Sequence, residues 1–460
     1  NYRMKKIVVV IYLLSVALHM SAQSIPVFKE GERVAFIGNS ITCGGRYHSY
    51  IWLYYMTHFP GMRIDIFNEG IGGDVVQQMS QRMDKVFEHR PTIVTLTFGM
   101  NDVGYMDFTL PGNDTIGERN VKTSLNHYQQ MEKILKKQPR VKKILIGSSP
   151  YDETSKLNKV PFPGKNNLIA DISDYLAKRA ADNQWYFIDF NRPMVAINQR
   201  EQQFDSTFTL CGRDRIHPST DGHLVMAYLF LRAQGLAGNP VADISIYAAG
   251  KAITHAVNCT VSDLSVSAQN ICFTYLAKSL PFPIDSSYYD NELHNQADGL
   301  KVIPFMEELN QEVLTVAGLP DGYYLLKIGG KEIARFTAYQ LRRGINLASY
   351  GNTPQYERAQ KIARLNEQRW LMEREMREYY WMEYHLMRRT GMLWKGDEAA
   401  VDTLLKYREI DPFVNWNHKY WLHLRSESVR KNTIEEQQHL TDQIYRENRP
   451  EALKVELIKL

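Results

Sequence analysis

Five residues of this chain have the types and spacing of an activated hydroxyl: Ser40 in "GNSIT", Gly73 in "GIGGD", Asn101 in "GMND", and Asp214 and His217 in "DRIH". A serine hydroxyl is a poor nucleophile until a base removes its proton. Asp214 and His217 are three residues apart, just before a helix expected to begin around Ser219. On a loop, that spacing lets the carboxylate receive the imidazole Nδ1–H while Nε2 points outward as the base. Gly73 offers a backbone N–H and Asn101 a side-chain amide, which with the N–H of Ser40 make three donors for an oxyanion. Two blander readings compete. Ser40 could be a simple strand-to-helix turn, and His217, His223, Asp214 and Asp221 could be a metal cluster.

The elements around these residues decide between them. "RVAFIG", "RIDIFN", "TIVTLTF", "KKILIG" and "WYFIDF" are short apolar runs rich in β-branched and aromatic residues, separated by helix-length stretches at 74–88, 119–138 and 166–183. Continuous apolar strands with helical crossovers predict a parallel sheet covered on both faces, whose ligands sit beyond the carboxyl ends of the strands. Ser40, Gly73 and Asn101 each follow one of these strands. Other motifs fall away. "EGIGGD" lacks the third glycine of a dinucleotide loop, no GK[ST] occurs, and Thr42 stands where the GxSxG elbow needs glycine.

The texture changes near "GNPVADIS". Residues 239–350 read as a small β-rich region with turns at Pro-Asp-Gly and Gly-Gly, and 351–460 as a helical C-terminal region opened by Thr353 and Pro354. Five of the seven tryptophans fall after residue 369, and aromatics at helical spacing read as packing. With 55 basic against 51 acidic residues, the charge argues for neither nucleic acid nor an anionic surface. Lys5 and Lys6, the run "IVVVIYLLSVAL" and small residues near Ala22 read as a signal peptide over 1–23, and hence as an exported, periplasmic or secreted protein with no membrane span after cleavage. The four cysteines contain no CxxC, which speaks against structural zinc; no metal or cofactor is expected.

The four blocks, in this order, resemble the SGNH hydrolases, the GDSL esterase/lipase family, over roughly residues 30–235, within a domain expected to span 24–238. The resemblance implies a three-layer, flavodoxin-like α/β domain, with Ser40 as nucleophile, His217 as base, Asp214 as its orienting acid, and Ser40, Gly73 and Asn101 as oxyanion donors. Asn39 stands where the family usually has aspartate. Arg46, Tyr47 and His48, next after the nucleophile, are expected to shape the substrate mouth. Exported members with added domains suggest a carbohydrate esterase removing acetyl groups from an acylated carbohydrate. The alternatives are a lysophospholipase or thioesterase, or a glycan-binding protein with a relict hydrolase fold. In such a fold Cys43 and Cys211 lie on the two loops that the triad joins, so they are expected to be neighbours able to form a disulfide, leaving Cys259 and Cys272 as a second pair.

Overall fold

The computed structural model describes residues 24–104, 115–157, 162–289 and 292–460. Residues 1–23, on which the export reading rests, lie outside the described residues.

The five apolar runs form parallel strands β1 (Arg33–Gly38), β2 (Asp65–Gly70), β3 (Ile93–Phe98), β4 (Lys142–Gly147) and β5 (Tyr186–Asp189), in the spatial order β2-β1-β3-β4-β5. β3 is buried along its whole length, as a strand covered on both faces must be. The helices Tyr47–His58 and Thr220–Ala233 pack together on one face, and Ile116–Lys136 and Lys165–Asp182 on the other. In Ile116–Lys136 the buried Ser124, Tyr128, Met131 and Leu135 recur at three- and four-residue steps, giving one inward stripe. Register pairs Val34 with both Ile66 and Ile93, so β1 lies between β2 and β3. The chain leaves β1 towards one edge and β3 towards the other, and the crevice at that switch point is where open α/β sheets bind ligands.

Two further sheets follow. β6 (Ala242–Tyr247), β7 (Ala252–Val257), β10 (Glu312–Ala317) and β13 (Ile345–Asn346) pair in the order β13-β10-β6-β7. β8 (Cys259–Val266), β9 (Asn270–Ala277), β11 (Tyr323–Ile328), β12 (Lys331–Thr337) and β14 (Leu453–Lys459) pair in the order β12-β11-β14-β9-β8. Their alternating inward residues, among them Ile244, Leu314, Phe273, Leu326 and Leu457, share one core. The position of β14 corrects the expected division at residue 351. The last strand of the chain leaves the helical region and fills the gap between β11 and β9, because its alternating Val455 and Leu457 suit that sheet's inner face.

The helical region begins as its sequence suggests: Thr353 Oγ1 accepts from Tyr356 N and Pro354 takes the first helical position. The helix Pro354–Trp381 continues into a π turn over Met382–Met387, and the helices Glu398–Arg408, Pro412–Leu424 and Glu427–Glu447 follow. Trp370 and Trp421 are fully buried, whereas Trp416 is 64% exposed. Among the described residues no helix is long and apolar enough to cross a membrane.

All four cysteines are free thiols, which corrects the expected pairing. Cys43 backs onto Gly70 at the end of β2, with its carbonyl taken by Asn68 Nδ2. Cys211 Sγ instead donates to Pro150 O at 3.2 Å. The second pair is also apart, since β8–β9 register sets Cys259 opposite Ala277 and Cys272 opposite Ser265.

Glu312 ties the sheets to the long helix. It is fully buried, and one carboxyl oxygen accepts from Tyr275 Oη at 2.7 Å and Gln355 Nε2 at 2.9 Å. Burial outweighs those hydrogen bonds and pushes its pKa from 4.5 up to about 7. Between those values the folded chain holds a proton that the unfolded chain has released. This group's contribution is therefore full below about pH 4.5 and declines as pH rises to about 7, by on the order of 3 kcal/mol. Urea midpoints of Glu312→Gln should show less stability loss between pH 5 and 8 than wild type; equal losses would place the dependence elsewhere. A chain stopped at residue 451 should be insoluble or lose cooperative unfolding in calorimetry, because β9 and β11 lose the strand between them.

Candidate active site

Ser40 opens the short helix Ser40–Cys43 directly beyond β1. Asn39 caps that turn, its Oδ1 accepting from Ile41 N at 3.0 Å, so asparagine retains the acceptor this position needs. Thr42 and Cys43 return their N–H groups to Asn39 O, which leaves the Ser40 N–H at the head of the turn. The sharpness of the corner comes from close approach. A Cβ on Gly38 would overlap Thr42, and one on Gly70 would overlap the Cys43 backbone.

The acid–base loop arrives from the opposite end of the domain. His217 Nε2 lies 2.7 Å from Ser40 Oγ, and its Nδ1 lies 2.5 Å from Asp214 Oδ2. An ionised carboxylate can only accept, so Nδ1 carries the proton and the Nε2 lone pair faces the serine hydroxyl. Asp214 Oδ1 also takes the N–H groups of Ile216 and His217, fixing the loop. Burial opposes ionisation of Asp214, but the bonds and charge of His217 outweigh it and hold the carboxyl below its usual range. Arg215 anchors this loop: its buried guanidinium donates to the carbonyls of Asp152, Ser155 and Leu157.

Gly73 is exposed with φ +77°, a left-handed conformation that favours glycine. Asn101 Nδ2 donates to Asp74 O at 3.0 Å, which orients the amide and leaves its second N–H for a ligand. Two groups outside the five candidate residues hold these loops. Lys165 Nζ donates to Met100 O and Gly104 O, either side of Asn101. Asp102 Oδ1 accepts from Val76 N and Ser124 Oγ, and Oδ2 from Gly99 N.

The expected mouth residues lie elsewhere. Tyr47 and His48 are fully buried: Tyr47 Oη is 3.0 Å from Thr42 Oγ1, and His48 Nε2 is 3.1 Å from Thr42 O. Arg46 is buried between the rings of Tyr289 and Trp370, at 4.1 and 4.0 Å, and pairs with Glu367 at 2.8 Å. These positions follow the nucleophile in sequence, but the helix they begin turns into the core, so they pack behind the turn. The metal-cluster reading also dissolves. Asp221 pairs with His294 at 3.0 Å, His223 is buried against Tyr47, and no group of three metal-type ligands converges among the described residues.

The long C-terminal helix reaches this site, which no local sequence signal indicates. Trp370 Nε1 donates to Gly45 O, and Glu373 Oε1 accepts from Asn68 N. Arg377 Nη1 donates to buried Glu69 Oε2 at 2.7 Å. Glu69 also lies 3.8 Å from Arg82, whose Nε donates to Asp74 Oδ2 at 2.8 Å. Beyond it, Trp381 Cδ1 lies 3.5 Å from where a Cβ on Gly72 would stand, and His385 Nε2 is 3.3 Å from Asp74 Oδ1.

The chain resembles known proteins in both its parallel-sheet domain and its helical region. Residues 36–225 match the model of the GDSL-like Lipase/Acylhydrolase family, and residues 360–449 match one described as the Diltiazem deacetylase C-terminal helical domain. A solved gut microbial diltiazem-metabolizing enzyme is 44% identical, covering 96% of this chain and all of its own, with a TM-score of 0.93. An acetylxylan esterase of Geobacillus stearothermophilus is 24% identical over 225 residues, 45% of this chain and 94% of that protein. With its parallel-sheet domain matched by the family model and 96% of its length matched at 44% identity, the chain belongs to the GDSL-like lipase/acylhydrolase family, the SGNH esterases.

Proposed function

We propose that this chain is a serine esterase that removes acetyl groups from ring-bearing alcohols, with an acetylated carbohydrate as its natural substrate class. The observation that carries the reading is the unbroken relay from Asp214 through His217 to Ser40, at 2.5 and 2.7 Å. Ser40 Oγ attacks the ester carbonyl while His217 Nε2 takes its proton. The carbonyl oxygen becomes an oxyanion held by the N–H groups of Ser40 and Gly73 and the amide of Asn101. As the C–O bond breaks, His217 returns the proton to the leaving alcohol, and the acetyl group stays on Ser40. A water deprotonated by His217 then attacks the acyl-enzyme, and acetate leaves with Ser40 reprotonated. Asp214 stays ionised throughout and stabilises the transient imidazolium.

The acetyl group is supported by two names: one relative is an acetylxylan esterase, and the family model matching residues 360–449 is named for a diltiazem deacetylase. A second reading, deacetylation of aryl-bearing drug-like esters, is favoured by the 44% identity to the diltiazem-metabolizing enzyme across almost the whole chain. The basic and apolar residues before Ala22 support an enzyme exported to meet either kind of substrate.

Wild-type protein should be labelled covalently by a fluorophosphonate probe and release acetate from acetylated xylan or diltiazem, and the two substrates rank the readings. Ser40→Ala should fold normally, take no label and lose at least about 10⁴-fold in kcat. Asp214→Asn should lose about 10⁴-fold while keeping its fold, because His217 then loses the partner that sets its tautomer. Retention of more than a few per cent activity by Ser40→Ala would put the nucleophile at another residue.

A further inference from the structure

Aromatic residues of the helical region divide into two kinds. Trp370 and Trp421 are fully buried, and each indole N–H is spent, on Gly45 O and on Glu383 Oε1. Phe413 and Trp416, in contrast, are 57% and 64% exposed, side by side with ring centroids 5.3 Å apart. Phe413 lies 6.2 Å from Trp381, which stacks on His385 at 5.1 Å. Trp381 in turn lies against Gly72, the neighbour of Gly73, and His385 faces Asp74, whose carbonyl orients Asn101. The exposed rings are therefore continuous with the loop that carries one oxyanion donor, Gly73, and orients a second, Asn101.

The helix that presents them is anchored at its start. Asp411 caps the helix Pro412–Leu424 by accepting from Phe413 N and Val414 N, and Arg389 reaches Asp411 at 3.3 Å. A π turn over Met382–Met387 follows Trp381 immediately, and such turns recur at functional sites. Large rings left half exposed on a capped helix offer flat faces to a flat partner.

We propose that Trp381, Phe413 and Trp416 form the subsite for the ring of the leaving alcohol, stacking on it while its acetyl group sits at Ser40. This rests on the esterase reading above and adds to it the surface that selects the substrate. The shared chemistry is a flat, weakly polar ring face, which either a pyranose or an aryl group supplies.

The test uses the full-length enzyme with three acetates: ethyl acetate, 2-naphthyl acetate and a methyl tri-O-acetyl xyloside. Phe413→Ala combined with Trp416→Ala should leave Tm and ethyl acetate hydrolysis unchanged within about twofold. The same variant should lose about tenfold or more in kcat/KM on a ring-bearing acetate, mainly through KM. Trp416→Phe should retain most of the wild-type preference. Loss confined to the xyloside identifies a sugar subsite, and loss confined to the naphthyl ester an aryl one. An equal loss on all three acetates, or no loss on either ring-bearing one, would overturn the subsite. Wild-type enzyme inert on all three would instead overturn the esterase reading, and the subsite with it.

Discussion

A buried carboxylate, Glu69 at the end of β2, sets the terms for the whole reaction centre. An anion taken out of water must be paired or it neutralises. Burial alone would raise its pKa, yet Arg377, His89 and Arg82 together hold it down to about 2. One of those partners, Arg377, comes from a helix 308 positions further along the chain. The esterase domain thus keeps an ionised group beneath its oxyanion loop in part because the C-terminal helix supplies a guanidinium beside its own His89 and Arg82. Arg82 extends the same network to Asp74 and to Gly38 O, so the ends of β1 and β2 and the loop carrying Gly73 are held by one set of charges.

That dependence explains why the added regions cannot be treated as appendages. Glu373 takes the N–H of Asn68, and Asn68 in turn holds both Cys43 O and Gly70 N, so a helix contact reaches the back of the nucleophile turn in two steps. The β-rich region closes the opposite side: Thr220 Oγ1 donates to Glu292, and Ser219 Oγ accepts from Leu293 N, beside the acid–base loop. β14 then returns the end of the chain to the sheet it left. The geometry at Ser40 in this sense depends on all three regions of the chain.

What the sequence revealed and what it hid divide by range. The parallel sheet, the cap at Thr353 and the three-residue spacing of Asp214 and His217 are local patterns, and local patterns are readable from one chain. The partners of Glu69, Asn68 and Asp74 are not, because nothing in "RIDIFNEGIGGD" specifies which distant helix will bring Arg377, Glu373 or His385. The expected mouth at Arg46, Tyr47 and His48 erred for a related reason. Adjacency to a nucleophile says nothing about which way the following helix turns, and here it turns inward. The cysteine pairing erred because two loops can meet at one pair of side chains while their other residues back onto separate walls, Cys43 onto Gly70 and Cys211 onto Pro150.

Arg46 shows what such an inward residue does instead. Its guanidinium is stacked between Tyr289 of the β-rich region and Trp370 of the long helix, and it pairs with Glu367 on that helix. A planar cation can serve two aromatic faces and a carboxylate at once, which a lysine ammonium cannot match. One side chain on the esterase domain, three residues beyond Cys43, therefore joins both added regions directly behind the nucleophile. The same joint ties the two added regions to each other as well as to the helix that follows the nucleophile turn.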